Sequence, residues 1–272
     1  MGQRREFSAR VVVVTGGGSG LGAAYARRFA RAGAKLALLD VDLARAEALR
    51  AELERGGGEC LALRLDVRDE AACREAIEAV LARFGRLDVL VNNAGISHRS
   101  AFRETASAVY RRVMDVNFFG ALHCTQAALP ALLASRGLVI AVSSIAGVAP
   151  LYGRTGYAAS KHAVQGFFAS LRSELAPEGV GVLIVCPGFT ATGIATAALD
   201  GDGRVTSHPQ STVGRVATPE SVAEAVFEAA SRGRPLLVLT AAGKAAYLLS
   251  RLLPSLYERW IARALRKELA RA

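Results

Sequence analysis

The sequence predicts an α/β protein, in which one doubly wound domain carries a seven-stranded parallel sheet flanked by helices. Seven short apolar runs are separated by helix-length stretches, and these runs are nearly continuous in apolar residues instead of alternating. Continuous apolar strands are typical of a parallel sheet that is buried on both faces. With 272 residues, 51% of them hydrophobic, the chain is long enough to bury such a core.

The first half of the chain alternates strand and helix strictly. Helical spacing of alanine and phenylalanine over 22–33, followed by Gly33, predicts the first helix, and Asp42 and Asp69 are predicted N-caps of the next two. The predicted strands are 11–15, 35–40, 60–67 and 87–95, and the helices are 22–33, 42–56 and 69–85.

The second half continues the pattern and then departs from it. Strands are predicted at 137–144, 180–188 and 235–239, with helices at 106–134, 157–176 and 219–231. An amphipathic helical extension over 241–272, broken by Pro254, follows the last strand.

A glycine-rich turn, Thr15-Gly16-Gly17-Gly18-Ser19-Gly20-Leu21-Gly22, joins the first strand to the first helix. Glycine permits positive φ and close backbone approach, and the helix N-terminus offers free N–H groups to a pyrophosphate. Asp40 ends the next strand, where its carboxylate can bind both hydroxyls of an adenosine ribose and repel a 2′-phosphate. These features predict a Rossmann-type dinucleotide fold that prefers NAD over NADP, although Asp40 could also simply end its strand or start the next helix.

Several motifs together resemble the short-chain dehydrogenase/reductase family. They are Thr-Gly-x-x-x-Gly-x-Gly, Asn92-Asn93-Ala94-Gly95, Ser144 and Tyr157-x-x-x-Lys161, and the resemblance extends over about residues 8–240. It implies an NAD(P)-dependent oxidoreductase that acts on CH–OH groups, with residues 1–240 as the dinucleotide-binding and catalytic domain. It also implies a substrate lid at about 190–216, and association as a homodimer or homotetramer through helices 106–134 and 157–176.

The resemblance implies cofactor contacts from the adenine to the carboxamide. Asp66 and Val67 match the pair that contacts adenine, the segment 92–95 passes beside the adenosine ribose, and Pro187–Gly188 resembles the turn beside the nicotinamide. Thr190, through its backbone, and Thr192 fall where the family contacts the carboxamide. The cofactor-binding set is Gly16, Ser19, Gly20, Leu21, Gly22, Asp40, Asp66, Val67, Asn93, Ala94, Gly95, Tyr157, Lys161, Pro187, Gly188, Thr190 and Thr192.

Four residues are predicted to carry the chemistry: Asn117, Ser144, Tyr157 and Lys161. Tyr157 and Lys161 are four apart and share a helix face. The lysine ammonium and a positively charged nicotinamide would favour the phenolate, so we expect the tyrosine pKa to fall by about two to three units from its usual ~10. Tyr157 would then exchange a proton with the substrate oxygen, and Ser144 would hold that oxygen. By resemblance, Asn117 holds a water of the proton relay.

The predicted substrate cleft is apolar, which favours a hydrophobic secondary alcohol or ketone. The same side chains would equally serve to pack the lid onto the core. The candidate lining residues are Ile96, Ile145, Leu151, Tyr152, Phe189 and Ile194, and Leu199 belongs to the same lid.

The net charge of +10 does not indicate nucleic acid, because the arginines are spread along helices without interleaved aromatic residues. The basic extension 241–272 can lie on an anionic membrane surface as a peripheral contact, or cover the substrate entrance of its own or a neighbouring subunit.

No apolar run of about 18 residues and no signal peptide is apparent, which together with four unpaired cysteines predicts a cytoplasmic protein. No metal is expected, because His123, His162 and His208 lack partners at ligand spacing; His98 could line the substrate cleft, but all four histidines are interpreted as structural or surface residues.

Two other functions compete with an NAD(H)-dependent alcohol dehydrogenase or ketone reductase. One is an NADPH-dependent reductase of 3-oxoacyl thioesters or similar carbonyls, against which Asp40 argues. The other is a catalytically silent NAD-binding sensor or scaffold, against which the intact set of Ser144, Tyr157 and Lys161 argues.

Overall fold

The computed structural model describes residues 4–207 and 210–269, apart from the side chains of residues 267 and 268. Seven strands form one sheet in the order β3-β2-β1-β4-β5-β6-β7, with parallel neighbours throughout, as the sequence predicts. The order reverses between β1 and β4, where ligands of doubly wound sheets bind. The strands are β1 (Val11–Thr15), β2 (Lys35–Asp40), β3 (Cys60–Arg64), β4 (Val89–Asn92), β5 (Leu138–Val142), β6 (Gly181–Cys186) and β7 (Leu236–Val238).

Nine α-helices lie within the described residues, and the capping aspartates act as predicted. The side chain of Asp42 accepts the N–H of Arg45, and that of Asp69 accepts the N–H of Ala72. The helices are α1 (Gly20–Ala30), α2 (Leu43–Arg55), α3 (Glu70–Phe84), α4 (Ser107–Met114), α5 (Gly120–Ser135), α6 (Thr155–Leu175), α7 (Pro219–Ser231), α8 (Ala241–Leu252) and α9 (Pro254–Leu269).

The strands that reach the site are shorter than the apolar runs that predict them. β3 ends at Arg64 instead of residue 67, and β4 ends at Asn92 instead of residue 95. The apolar or small residues beyond each end leave the ladder and form the loops at the carboxyl edge of the sheet. Hydrophobicity continues past the strand here because the loops are themselves partly buried.

The predicted helix 106–134 is interrupted. A π-helical turn, Asp115–Phe119, separates α4 from α5 and contains Asn117. Such turns widen one backbone ring and often occur at functional sites. Within the described residues, Ser107–Ser135 is also the one stretch long and apolar enough to cross a membrane by length and composition, although the sequence alone suggested none. A single stretch of this kind is weak support for a membrane span, because soluble core helices can meet the same criterion.

The two faces of the sheet carry separate apolar layers. α1 and α7 pack together on one face, and α3, α5 and α6 cover the other. The C-terminal helices join this second layer, since Tyr257, Ile261 and Leu265 are buried in it. The extension is therefore anchored through one face of α9.

Candidate active site

The glycine turn brings backbone close to backbone at the carboxyl end of β1. Gly16 and Gly20 have φ values of +61° and +53°, a region that glycine adopts without strain. A Cβ on Gly22 would collide with the carbonyl oxygen of Gly16. Ser19 begins α1 in an extended conformation without using its side chain as a cap, and Leu21 is half-buried. The turn thus leaves the first N–H groups of α1 without a side-chain cap, which suits a phosphate group.

Thr15 and Asn93 brace this turn against the loop that follows β4. The Nδ2 of Asn93 donates to the carbonyl oxygens of Thr15 and Gly16 at 3.0 and 3.1 Å. The Thr15 hydroxyl oxygen in turn accepts the N–H groups of Asn93 and Ala94. Sequence reasoning missed Thr15 as a site residue, although its place at the end of a buried strand was a usable signal. The amide of Asn92 points elsewhere, donating to Thr125 at 2.8 Å, so only the backbone of Asn92 faces this loop.

Asp40 is held against the glycine turn. Its Oδ2 accepts the N–H of Gly18 at 2.8 Å and its Oδ1 accepts the N–H of Asp42 at 2.9 Å. The carboxylate therefore ends the strand and also stands at the adenosine end of the candidate cleft. Arg45, which sequence reasoning missed, lies beside the same turn: a Cβ on Gly18 would be 3.0 Å from the Arg45 Cβ. The Arg45 guanidinium pairs with Asp42 at 2.9 Å.

The remaining predicted cofactor residues lie along the same edge of the sheet. The Arg68 guanidinium holds Asp66 and keeps the pKa of that carboxyl below its usual range. Val67 is buried and its carbonyl oxygen accepts from His123. On the other side of the cleft, a Cβ on Gly20 would lie 3.4 Å from the Cβ of Thr192.

The turn after β6 faces the loop after β5. The carbonyl oxygen of Pro187 accepts the N–H of Ile145 at 2.9 Å, and the Thr190 hydroxyl donates to the carbonyl oxygen of Gly188 at 3.2 Å. Thr240 caps α8 with φ of +64°, and a Cβ on Gly188 would lie 3.5 Å from its hydroxyl oxygen. Thr240 is a β-branched residue in a strained conformation at the site, and sequence reasoning did not find it.

Ser144, Tyr157 and Lys161 come together where β5 meets α6. The Ser144 hydroxyl lies close enough to the Tyr157 phenol to lower its pKa, and the Nζ of Lys161 is 5.8 Å from the centre of the Tyr157 ring. Lys161 is buried and donates to the carbonyl oxygen of Val142 at 2.9 Å. The neighbouring Ser143 donates from its hydroxyl to the carbonyl oxygen of Lys161.

Burial dominates the proton affinities of this cluster. Desolvation raises the pKa of Tyr157 above its ordinary value of 10.0, and the Ser144 hydrogen bond and the Arg154 charge lower it by less. Desolvation also lowers the pKa of Lys161 from 10.5 to about 8, against a smaller opposing effect of Cys186. In the protein without cofactor the Tyr157 pKa is therefore raised, and the expected fall, which includes the charge of a bound nicotinamide, stays a prediction. The Lys161 ammonium points at a backbone carbonyl, and burial outweighs the favourable contacts of the phenol.

Asn117 joins the loop after β4 to helix α6. Its Oδ1 accepts the N–H of Ile96 at 2.8 Å, and its Nδ2 donates to the carbonyl oxygen of Ile96 and to the hydroxyl of Ser160. Ser160 donates in turn to the carbonyl oxygen of Tyr157 at 2.8 Å. Both N–H donors of the Asn117 side chain are thus engaged, so Asn117 positions the helix that carries Tyr157.

Two further residues at the start of α6 were missed as site residues. His98 is fully buried, its Nδ1 accepts the N–H of Tyr157 at 3.3 Å, and burial together with the Arg154 charge lowers the pKa of its imidazole to about 4. His98 is therefore neutral near pH 7. Arg154 is buried three residues before Tyr157 and favours the phenolate. The position of His98 after the Asn92–Gly95 loop was a usable signal, whereas nothing in the linear sequence distinguished Arg154 from a surface residue.

The candidate substrate-lining residues divide into two groups. Tyr152 and Ile194 are exposed, and Leu151 and Phe189 are half-buried. Ile96 packs in a small cluster with Val109, Val113 and Leu199, and the backbone of Leu199 pairs with that of Ser97, so Leu199 serves to hold the lid on the core. The buried Ile145 side chain contacts α8, because a Cβ on Gly243 would lie 2.7 Å from it.

A nicotinamide dinucleotide fits these residues. The uncapped glycine turn, the fixed Asp40 carboxylate and the buried Lys161 lie along one cleft edge, and a Cβ on Gly95 would lie 3.5 Å from the Lys161 Nζ. Lys161 has no acidic partner among the described residues, so two of its N–H donors remain for ribose hydroxyls. Residues 4–207 and 210–269 contain no group of three His, Cys, Asp or Glu side chains that could hold a metal ion, and His208 lies outside the described residues.

Comparison with known proteins gives consistent matches. The family model described as short chain dehydrogenase matches residues 10–202. The Bos taurus protein described as dehydrogenase/reductase SDR family member 7B is 38% identical over 266 residues, which cover 95% of this chain and 82% of that protein. The Anopheles gambiae protein described as dehydrogenase/reductase SDR family protein 7-like is 34% identical, covering 93% and 82%. A solved short-chain dehydrogenase/reductase from Burkholderia phymatum, in complex with NAD, superposes with a TM-score of 0.83 at 29% identity, covering 93% of this chain and 96% of that one.

Proposed function

Because the chain belongs to the short-chain dehydrogenase/reductase family of oxidoreductases, we propose that it interconverts a hydrophobic secondary alcohol and ketone by hydride transfer with NAD(H). The observation that carries the proposal is the convergence of Ser144, Tyr157 and Lys161 beside the glycine turn and Asp40. A silent NAD-binding protein would need the turn, Asp40 and Lys161 to hold the cofactor, but it would have no use for Ser144 and Tyr157.

Tyr157 is the acid and base of the proposed reaction. As the phenolate it takes the hydroxyl proton when an alcohol is oxidised, and as the phenol it gives a proton to the oxygen when a ketone is reduced. The Ser144 hydroxyl, which lies beside the phenol, holds the same substrate oxygen as its charge develops. A nicotinamide dinucleotide, when bound, supplies or accepts the hydride and in its oxidised form adds a positive charge. Lys161 would bind the ribose hydroxyls, and Asn117 would keep α6 in register with the loop after β4.

Substrate access falls to the lid at about 190–216, of which residues 208 and 209 lie outside the described residues. The exposed side chains of Tyr152 and Ile194 would contact a hydrophobic substrate as it enters. Leu199 anchors one part of the lid through its backbone pairing with Ser97. The proposed substrate class therefore rests on the exposed part of the lid and not on its anchored part.

NAD is the proposed cofactor because the Asp40 carboxylate occupies the adenosine end of the cleft with little exposure to solvent. A buried carboxylate repels a 2′-phosphate more strongly than an exposed one. The Burkholderia phymatum structure contains NAD, which supports a dinucleotide of this kind.

One observation favours a second candidate, an NADPH-dependent reductase of 3-oxoacyl thioesters or similar carbonyls. Arg45 lies beside Gly18, where a guanidinium could meet a 2′-phosphate once it leaves Asp42. Arg45→Ala separates the two candidates: it should leave kcat/KM for NADH within about twofold, whereas a true NADPH enzyme should lose at least about tenfold with NADPH.

Association of two or four copies is part of the proposal. The stretch Ser107–Ser135 is apolar, yet only 28% of its most hydrophobic 18-residue segment is buried within one chain. Phe119 remains 41% exposed on this stretch. Packing against a second copy would cover this surface, and sedimentation velocity of wild type against Phe119→Glu would measure it.

A panel of secondary alcohols and ketones, followed at the NADH absorbance with NAD(H) and NADP(H), tests the proposed reaction. The expected result is turnover of hydrophobic members of the panel with NAD(H) in preference to NADP(H). Binding of the dinucleotide without turnover of any member would indicate the silent sensor instead. Turnover restricted to polar substrates would contradict the substrate class.

A further inference from the structure

The outer face of α8 and α9 exposes an unusual concentration of large apolar side chains. Of the thirteen such side chains exposed among the described residues, five lie between residues 248 and 260. Leu252 is the most exposed of these five, at 75%. We call these five the apolar strip; they are Leu248, Leu252, Leu253, Leu256 and Trp260.

The apolar strip belongs to well-packed helices. Tyr257, Ile261 and Leu265, on the other side of α9, are buried in the core, and the Tyr257 hydroxyl donates to the carbonyl oxygen of Pro150 at 3.1 Å. α8 is held by Ser250, whose hydroxyl donates to the carbonyl oxygen of Val148. The strip is therefore presented to solvent by an anchored scaffold.

Basic residues accompany the strip. Residues 241–272 contain seven Lys or Arg and two Glu, a formal net charge of +5 and so half of the +10 of the whole chain. The described bases of this segment are all exposed, and none forms an ion pair with a described residue. They are Lys244, Arg251, Arg259, Arg263 and Arg266. Elsewhere many arginines have acidic partners, as Arg27 does in Glu52.

We propose that α8 and α9 dock the protein on the surface of an anionic lipid bilayer. The apolar strip would lie at the boundary of headgroups and acyl chains, and the bases would bind the lipid phosphates. Apolar area and juxtamembrane positive charge are the two attractions that hold a helix in this position, and here both occur on the same two helices.

A second copy of this chain fits the same surface less well. In a two-fold contact each surface meets its own copy, so the unpaired bases would face one another. Their repulsion opposes the gain from covering the apolar strip. An anionic bilayer instead offers complementary charge over the whole face.

The docked surface would lie beside the candidate active site. α8 and α9 contact Ile145, Val148 and Pro150, which lead along the chain to Tyr157. A substrate dissolved in the bilayer could then reach Tyr157 by passing along these residues. Docking does not depend on the proposed reaction, because tryptophan fluorescence and vesicle co-sedimentation measure binding without turnover.

Trp260 is the only tryptophan of the chain and is 46% exposed, so its fluorescence reports the surface directly. The full chain should show a blue-shifted emission and co-sediment with vesicles of phosphatidylcholine containing about one third phosphatidylserine. Both signals should weaken with phosphatidylcholine alone and at high salt. No blue shift and no co-sedimentation with the anionic vesicles would overturn the proposal.

Two variant pairs separate the two attractions. Leu252→Ser with Leu256→Ser keeps Trp260, and Arg259→Glu with Arg263→Glu keeps the apolar strip; each should lose at least about tenfold in vesicle partitioning. Matched controls are Val41→Ser, an exposed apolar residue at the end of β2, and Arg55→Glu with Arg74→Glu on other surface helices. These should bind as wild type does, and circular dichroism should show all variants folded.

An equal loss of vesicle partitioning in the helix variants and in the control variants would overturn the proposal. So would a blue shift that follows protein concentration without vesicles and disappears in the leucine variant, because that result assigns the strip to a second copy. Binding of the arginine variant as tight as that of wild type would also overturn the anionic bilayer as the occupant.

Discussion

The two ends of the candidate cleft are built by different means. At the adenosine end, the glycine turn and Asp40 are fixed by backbone hydrogen bonds, and the ionisable group there lies next to N–H donors. At the catalytic end, Tyr157 and Lys161 are fixed by burial, which shifts both pKa values toward the neutral forms. The first end therefore offers N–H donors that suit an anionic cofactor, whereas at the second end burial favours the neutral form of each group and brings the pKa of Lys161 down to about 8.

A substitution at the catalytic end of the cleft should cause the largest loss of activity. Tyr157→Phe removes the proposed proton donor and acceptor, so kcat should fall by about 10²–10⁴-fold in steady-state assays. Titration of NADH fluorescence should show binding within about threefold of wild type, because the adenosine end is untouched. Tyr247→Phe on α8 is the matched control and should retain wild-type kcat. Retained turnover in Tyr157→Phe would remove Tyr157 from the mechanism.

Lys161→Met should give the next largest effect, a loss of about 10²-fold in kcat/KM, because a buried cation beside the proposed ribose position disappears. The pKa of Lys161 in the wild-type protein also predicts an effect of pH on the free energy of unfolding. Between about pH 8 and 10.5 the unfolded chain keeps the Lys161 proton and the folded chain does not. The free energy of unfolding should therefore rise with pH in this window, by up to about 1.4 kcal/mol per pH unit from this group.

Urea unfolding of wild type and Lys161→Met across that window measures the difference. The variant should lack this contribution, whereas the surface variant Lys35→Met, which only loses its partner Glu59, should keep it. Parallel pH profiles of wild type and Lys161→Met would show that burial does not shift this pKa.

Gly22→Ala tests the adenosine end. The new Cβ would meet the Gly16 carbonyl oxygen, so the turn must move, and overpacking of this kind costs about 1–3 kcal/mol. NADH affinity should fall by about tenfold and the melting temperature should drop. Gly166→Ala on α6, where a Cβ meets nothing within 4 Å, should instead leave NADH affinity unchanged. Equal NADH affinity in the two variants would mean that the turn does not carry the phosphate.

Asp40→Ala should give the smallest effect. Loss of the carboxylate removes two proposed ribose hydrogen bonds and the repulsion of a 2′-phosphate, so the ratio of kcat/KM for NADH to that for NADPH should fall by about tenfold. Glu47→Ala on the neighbouring helix has the same charge change and should keep the ratio. An unchanged ratio in Asp40→Ala would leave Asp40 with its structural role at Gly18 and Asp42 alone.

Sequence patterns predicted the parallel sheet, its order of strands and helices, and the helical extension with its break at Pro254. Those features are local: apolar runs, glycine turns and capping aspartates act on neighbouring residues. The patterns overextended β3 and β4, because buried loops are as apolar as the strands they follow. They also missed the π-helical turn at Asn117, whose widened ring depends on packing and not on residue type.

The sequence by itself determined the family, because its motifs are short runs of residues that can be read directly. It also determined the glycine turn and the spacing that places Tyr157 and Lys161 on one helix face, since both depend on local backbone geometry. Only the tertiary structure decided that His98 lies against α6, that Arg45 stands beside Gly18, and that burial raises the Tyr157 pKa in the protein without cofactor. These are consequences of burial and of contacts between residues distant in sequence. A proton affinity depends on how much water and which charges surround the group, and the linear order of residues does not specify either.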